Sequence, residues 1–220
     1  MGCIIKHYID DSSVLGVWRK EESLDTLMHI VTLDADEKKK LKSFRSTSRK
    51  FEFLSVRALL SELIGDKTGI VYNKNNKPFL KDGSMFISIS HSNQLTTILL
   101  SVNEKVGIDL EYMKYNIAPI SFKFLNSKDT ITNDPENKKY HLYLHWCAKE
   151  ALYKICDKEG ISLRKNITID NFEVYDSGEM TGCVSTDAIN ENFNMKYMRY
   201  GNYAIVWTKK IMEKPHLNVK

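Results

Sequence analysis

The stretch Trp146-Cys147-Ala148-Lys149-Glu150-Ala151-Leu152-Tyr153-Lys154 places one carboxylate between two ammonium groups. Its composition favours a helix, and Trp146, Glu150 and Lys154 then share one stripe because they are spaced four residues apart. A glutamate and a lysine at this spacing usually form only a weak surface ion pair. The tryptophan on the same stripe argues against a fully solvated face, so the stretch indicates either such a pair or a functional site on the helix.

A second acidic motif, Gly107-Ile108-Asp109-Leu110-Glu111, lies upstream. Asp109 and Glu111 are two residues apart in a strand pattern, so their side chains emerge on one face while Ile108 and Leu110 point into the core. Adjacent carboxylates repel each other unless a cation lies between them. Magnesium prefers such oxygen ligands and fills its other positions with waters and phosphate oxygens. The pair therefore indicates either a magnesium site or an exposed strand face with two solvated acids.

The composition is that of a soluble globular protein. The chain has 220 residues, of which 42% are hydrophobic and 27% charged, enough to bury a substantial core. The net charge of +4 favours anionic partners but falls short of the strongly basic character of nucleic-acid-binding domains. The four cysteines form no Cys-x-x-Cys pair, which is typical of reduced thiols. With no membrane span or signal-peptide core, we expect a cytoplasmic protein without a membrane partner.

The order of the predicted elements indicates an α+β fold. Apolar spacing predicts helices over Arg49 to Leu63 and Tyr140 to Lys158, and residues 34–42 open with acids and end with lysines, as suits a helix dipole. The predicted strands are 14–18, 86–91, 96–102, 106–111, 172–174, 195–200 and 203–208, with a polar turn over 74–81. Helix plus antiparallel strands occurs twice, which predicts two similar halves, residues 1–112 and 113–220, related by a pseudo-twofold axis.

The segment Ser88-Ile89-Ser90-His91-Ser92 ends one predicted strand with three hydroxyls and an imidazole. A Ser-His hydrolase would need a Gly-x-Ser-x-Gly elbow, which does not accompany these residues. Hydroxyls and an imidazole also donate hydrogen bonds to phosphate. A capped turn with a satisfied histidine is the other interpretation.

Basic residues cluster on the first long helix and just before it. Arg49 and Arg57 are eight residues apart, so both can lie on one side of the helix and address a single phosphate. Arginine suits this role because its planar guanidinium binds phosphate bidentately. The lysine-rich run from Lys38 to Lys50 is otherwise typical of a solvated helix face.

Four motifs in order resemble those of the 4'-phosphopantetheinyl transferases, in their surfactin synthetase-activating (Sfp-type) branch. The motifs are Lys77-Pro78, Ser90-His91-Ser92, Gly-Ile-Asp-Leu-Glu at 107–111 and Trp-x-x-Lys-Glu-Ala-x-x-Lys at 146–154. The resemblance spans residues 49–154, and residues 203–206 are similar to the last strand of that family. It implies two similar α+β halves with coenzyme A in the cleft between them. It also implies an enzyme that transfers phosphopantetheine from coenzyme A to a serine of an apo carrier protein and releases adenosine 3',5'-bisphosphate.

The same resemblance assigns roles to individual residues. The implied magnesium ligands are Asp109, Glu111 and Glu150. The implied coenzyme A contacts are Lys77, Ser90, His91, Lys149 and Lys154, with Arg49 and Arg57 added as phosphate candidates by charge and position. Glu150 and Lys154 are the implied catalytic residues: Lys154 steadies the leaving bisphosphate, and either Glu150 or a metal-bound water takes the serine proton. The sequence departs from the family at Asn76, where glycine is frequent, and at Asp129, where glutamate is common.

The expected macromolecular partner is an acidic carrier protein, which a mildly basic chain attracts by electrostatic steering. Two halves in one chain also make a monomer reasonable. Two other functions stay open: a non-catalytic module that binds coenzyme A or a carrier protein, and a metal-dependent nuclease or phosphodiesterase, which predicts a broader basic surface with stacking aromatics. The sequence leaves open whether the carrier serves fatty acid, polyketide or nonribosomal peptide synthesis, and whether acyl-coenzyme A is accepted.

Overall fold

A computed structural model describes residues 2–65, 68–156 and 160–211, so the tail from Glu213 to Lys220 lies outside the described residues. The helices are α1 (Leu24–Ile30), α2 (Ala35–Ser43), α3 (Thr47–Ile64), α4 (Pro135–Cys156) and α5 (Leu163–Asn166), with a 3-10 helix at Ala118–Lys123. The strands are β1 (Cys3–Asp10), β2 (Ser13–Arg19), β3 (Ile70–Tyr72), β4 (Pro78–Leu80), β5 (Phe86–Ser92), β6 (Leu95–Ser101), β7 (Glu104–Tyr112), β8 (Ile167–Ile169), β9 (Ser177–Thr186), β10 (Ile189–Tyr200) and β11 (Tyr203–Ile211).

Side-chain caps fix where several helices begin. Asp34 and Glu37 form a capping box at the start of α2, each accepting a hydrogen bond from a backbone N–H of the other. The acids of its first turn and the lysines of its last turn give α2 the charge order that the sequence predicts. Ser46 caps α3 in the same way, by accepting from the Arg49 N–H at 3.5 Å.

Two antiparallel sheets form the centre of the molecule. The first has the strand order β1-β2-β6-β5 and the second the order β7-β11-β10-β9-β8, while β3 and β4 form a separate hairpin. In both sheets, the strand that precedes the long helix pairs with the last strand of its group, β2 with β6 and β7 with β11. This shared order agrees with the predicted resemblance of the halves, although β7, which precedes the predicted boundary at 112/113, is hydrogen-bonded into the second sheet.

The core consists of three clusters, which lie between four stacked layers: α3, the first sheet, the second sheet and α4. Inward-facing residues of both sheets, such as Leu15, Leu99, Ile108 and Ile205, form the central cluster. Helix α3 covers the other face of the first sheet, and α4 covers the other face of the second. Alternate residues of each strand therefore face different clusters, as period-two geometry requires.

The two sheets meet where β5 runs beside β7. Ser88 Oγ accepts from the Ile108 N–H at 3.1 Å, and Ser92 Oγ accepts from the Tyr112 N–H at 3.0 Å. The residue numbers of the two bonded pairs increase in the same direction along both strands, so β5 and β7 are parallel. Between β5 and β7, serine hydroxyls therefore accept hydrogen bonds that backbone carbonyls accept between neighbouring strands inside a sheet.

Most predicted elements are confirmed, and the fold class is α+β. The predicted strand at 172–174 is wrong, because those residues form no strand and Phe172 instead packs against His141, His145 and Tyr197. The pseudo-twofold relation stays a prediction. Among the described residues, no helix has the length and apolar character needed to cross a membrane.

Candidate active site

Helix α4 approaches β7 closely at Gly107. A Cβ atom at this position would lie 2.2 Å from the carbonyl oxygen of Ala151 and 3.1 Å from Cβ of Ile155. Only a residue without a side chain permits this approach, because the obstructing oxygen belongs to the helix backbone. The contact places Asp109, on the same face of β7, against the last turns of α4.

Asp109 is the buried centre of the site, with 4% of its surface exposed. Its Oδ1 accepts hydrogen bonds from Ser90 Oγ and from Lys154 Nζ, both at 2.7 Å. Its Oδ2 is buried and has no hydrogen-bond partner among the residues that the structure describes. A buried carboxylate oxygen without a partner is costly unless a ligand satisfies it.

Glu111 is half-buried next to Asp109 on β7. Ser92 Oγ donates to its Oε2 at 2.7 Å, and the indole N–H of Trp146 donates to its Oε1 at 3.4 Å. Burial raises the pKa of Glu111, and the charge of Asp109 raises it further. Asp109 and Glu111 therefore share one face, as predicted, and each feels the charge of the other.

Glu150 lies on α4, half-buried at the edge of a cleft. Burial raises the pKa of Glu150 to about 7, and the charges of Asp109 and Glu111 act in the same direction while Lys154 opposes them. Three mutually repelling acids near one point favour an additional cation or proton there.

The residues present fit magnesium in donor type and charge. Asp109 Oδ2 is a buried oxygen without a hydrogen-bond partner, and Glu150 lines a cavity that Lys154, the partner of Asp109 Oδ1, also lines. Within the described part of the chain, no three His, Cys, Asp or Glu side chains are arranged to enclose a metal. The three-carboxylate site therefore stays a prediction, in which waters and substrate phosphates would fill the other positions around the ion.

Two adjoining cavities open beside these acids. The first, of about 470 Å³, is lined by Lys77, Ser88, Glu150, Tyr153 and Lys154 among others. The second, of about 630 Å³, is lined by Lys40, Arg49, Glu52, Arg57, Ser90, His91 and Lys154 among others. Asn76, Pro78, Ile89 and Lys154 line both, so together they form one cleft, which we call the cationic cleft. The structure thus gathers the predicted residues Lys77, Arg49, Ser90, His91, Glu150 and Lys154 around a continuous space.

Arg57 reaches this cleft but is mainly a structural residue. It is 6% exposed, its Nε donates to Glu37 Oε1 at 3.1 Å, and its guanidinium lies 3.5 Å from the centre of the Phe53 ring. Its ion pair joins α2 to α3. Arg49, in contrast, is exposed on the first turn of α3 and forms an ion pair with Glu52, so of the two arginines it is the one more accessible to an anion in the cleft.

Lys149 does not lie in the cleft, which corrects its predicted contact with coenzyme A. Its side chain is fully buried, and Nζ donates to Asp129 Oδ2 at 2.5 Å and to the carbonyls of Phe124 and Ile167 at 2.8 and 2.7 Å. Burial lowers the pKa of Lys149, and the Asp129 carboxylate opposes that shift. Lys149 therefore binds the loops around α4 and does not line the cationic cleft.

Glu52 is the residue of this site that the sequence analysis missed. Its Oε2 lies 3.0 Å from Arg49 NH1 and 3.7 Å from His91 Nε2, inside the cationic cleft. Burial lowers the pKa of His91, and the Glu52 charge acts against that shift. The available signal was the spacing of Glu52 from Arg49, three residues along the same helix.

Comparison with known proteins supports one family. A model of the 4'-phosphopantetheinyl transferase superfamily matches residues 105–208. The chain is similar to the 4'-phosphopantetheinyl transferase HetI of Nostoc sp., with 24% identity over 63% of this chain and 65% of the relative. It is also similar to the 4'-phosphopantetheinyl transferases AcpT of Salmonella typhi and Escherichia coli K12, with 26% identity over 56% of this chain in each case. The matches span 66% and 65% of those two relatives, slightly less than two thirds of their length.

Proposed function

We propose that the chain is a member of the 4'-phosphopantetheinyl transferase superfamily and an Sfp-type enzyme that modifies carrier proteins. The transferred group is 4'-phosphopantetheine, the donor is coenzyme A and the acceptor is a serine of an apo carrier protein. The observation that carries the proposal is the buried, unpartnered Asp109 Oδ2, because the same carboxylate is bonded to Ser90 and Lys154, which line the cationic cleft together with Glu150. A pyrophosphate bound through magnesium would satisfy all of these groups at once.

The reaction exchanges one phosphorus–oxygen bond for another. The serine oxygen bonds to the β-phosphorus of coenzyme A, and the bond between that phosphorus and the oxygen of the 5'-phosphate breaks. Adenosine 3',5'-bisphosphate leaves with the electron pair, and the serine proton passes to Glu150 or to a water molecule.

The chain's own residues supply binding and charge compensation. Asp109, Glu111 and Glu150 would hold magnesium, which withdraws negative charge from the pyrophosphate when bound. Lys154 lines both cavities and already neutralises Asp109, so its ammonium is placed to stabilise the leaving phosphate. Lys77, Arg49, Ser90 and His91 would bind the remaining phosphates and the nucleotide.

We also propose that the enzyme acts as a cytoplasmic monomer on acidic carrier proteins. The net charge of +4 supports attraction to an acidic partner. The halves proposed here, residues 1–112 and 113–220, both contribute to the cleft, since β5 and α3 come from one and α4 from the other.

Intact-protein mass spectrometry tests the proposal. Apo carrier proteins are incubated with the full chain, coenzyme A and magnesium, and each is weighed with and without EDTA. We expect a mass gain of one phosphopantetheine that EDTA abolishes. Coenzyme A binding without any mass gain would favour a binding module, and absence of both would contradict the proposal.

A further inference from the structure

The cationic cleft contains an acid at its most basic end. Among the described residues that line the larger cavity, the charged cations are Lys40, Arg49, Arg57 and Lys154, and Glu52 is the single acid. The Glu52 side chain is 19% exposed, so it is partly withdrawn from solvent. A carboxylate in this position affects any anion that enters the cleft.

Glu52 lies near cationic groups from α3, from β5 and from the segment just after β2. Its Oε2 lies 3.0 Å from Arg49 NH1 on α3 and 3.7 Å from His91 Nε2 on β5. Its charge also raises the pKa of Lys20, just after β2, against the lowering effect of burial. Ser48 Oγ donates to its other oxygen at 3.4 Å. These are the groups that a phosphate would use, because carboxylates and phosphates accept from the same donors.

We propose that Glu52 is a specificity-determining residue that weakens the hold of the cleft on a phosphate monoester. The inference rests on the proposed function, because it takes coenzyme A, with its 3'-phosphate, as the ligand. Adenosine 3',5'-bisphosphate keeps the same monoester after transfer, so a weaker hold on it also speeds the release of product.

The sign of the effect follows from two opposing contributions. Glu52 helps to orient Arg49, but an i,i+3 pair whose arginine is 64% exposed contributes little. A phosphate monoester held by Arg49 and His91 would lie within several ångströms of the carboxylate that contacts both groups. The monoester carries nearly two negative charges, and repulsion at that distance persists even in high dielectric. Repulsion is therefore the larger contribution, and removal of the charge strengthens binding.

The test compares two ligands that differ only in that phosphate. Calorimetry measures binding of coenzyme A and of 3'-dephospho-coenzyme A to the full chain and to Glu52→Gln. We expect Glu52→Gln to bind coenzyme A about tenfold more tightly while its affinity for the dephospho compound stays unchanged. In turnover, KM for coenzyme A falls, and inhibition by adenosine 3',5'-bisphosphate strengthens by the same factor.

Two variants serve as controls. Glu52→Asp keeps the charge and should retain the selectivity of the unmodified protein. Glu62→Gln removes the same charge from an exposed residue near the other end of α3 and should change neither the affinity for coenzyme A nor that for the dephospho compound. Equal tightening for both ligands, or weaker coenzyme A binding, would overturn the inference. Binding is measured without transfer, so selective tightening in a protein that transfers nothing would support the inference and overturn the proposed function.

Discussion

Lys154 Nζ donates to Asp109 Oδ1 at 2.7 Å and to the carbonyl of Ile108 at 3.0 Å. The ammonium group is partly exposed to the cleft, whereas the carboxylate is almost fully buried. Lys154 therefore joins α4 to β7 and places a positive charge between the buried acid and the cationic cleft.

Replacing Lys154 by methionine should slow transfer more than it weakens coenzyme A binding. In the proposed reaction the ammonium stabilises charge that develops on the leaving phosphate, and loss of one such group typically lowers kcat by about a hundredfold or more. Single-turnover mass spectrometry gives the rate, and calorimetry gives the affinity. An unchanged turnover would remove Lys154 from the mechanism.

Asp109→Asn should abolish magnesium-dependent transfer while the fold persists, because the amide has the shape of the carboxylate but not its charge. Glu150→Gln should have a similar effect. Transfer is assayed over a magnesium titration, with circular dichroism as a check of folding. Asp187→Asn, an exposed turn residue away from the cleft, is the matched control. Full activity of Asp109→Asn would contradict the proposed metal site.

Gly107→Ala should destabilise the protein by about 3 kcal/mol or more, because the new methyl group meets the carbonyl oxygen of Ala151 and backbone must move. Transfer should fall as well, since α4 carries Glu150 and Lys154. Gly69→Ala is the control, because a Cβ there meets only the flexible side chain of Lys81 at 3.3 Å and Asp34 at 3.5 Å. Urea unfolding measures both variants, and equal midpoints would refute the packing argument.

Lys149→Met should reduce the free energy of unfolding by about 3–5 kcal/mol, the usual cost of leaving one member of a buried ion pair alone. Adding Asp129→Asn should restore part of that loss. Protein that remains folded should keep the coenzyme A affinity of the unmodified chain, since Lys149 lies outside the cleft. A selective loss of coenzyme A affinity would revive the contact that the sequence predicts.

Acid should destabilise the fold through His145. Burial lowers the pKa of His145 to about 3, and the charges of His141 and Lys149 add to the effect. The unfolded chain binds the proton at a higher pH, so this contribution is complete above about pH 6.5 and is lost as pH falls towards 3. We expect a loss of about 2 kcal/mol between pH 7 and 5.

Urea unfolding at several pH values measures that loss. His145→Gln cannot titrate and should show a flatter dependence on pH through the same range. If the variant and the unmodified chain give parallel curves, His145 is not the group responsible.

Much of the fold follows from local sequence patterns. Apolar spacing locates α3 to within two residues at its N-terminal end and one at its C-terminal end. The alternation around Asp109 and Glu111 correctly predicts that both acids share a face and that Ile108 and Leu110 enter the core. These features depend on neighbours along the chain, which is why periodicity finds them.

The remaining features depend on contacts between distant segments. Lys149 and Glu150 are adjacent on α4, so their side chains point in different directions. Lys149 bonds to the loops at Phe124 and Ile167, whereas Glu150 lines the cleft. The role of Glu52 depends on His91, which reaches it from another element. Phe172 has β-forming character, but its packing against two histidines overrides that preference.

The three serines of β5 limit which substitutions this site can accept in protein engineering. Ser90 and Ser92 donate to Asp109 and Glu111, and Ser88 and Ser92 accept from the β7 backbone. Thermal robustness and chemistry therefore cannot be tuned separately at Ser92, which makes both kinds of contact. Consensus or combinatorial libraries should hold the three serines constant, and also Ile87 and Ile89, which pack towards α3 and line the cationic cleft.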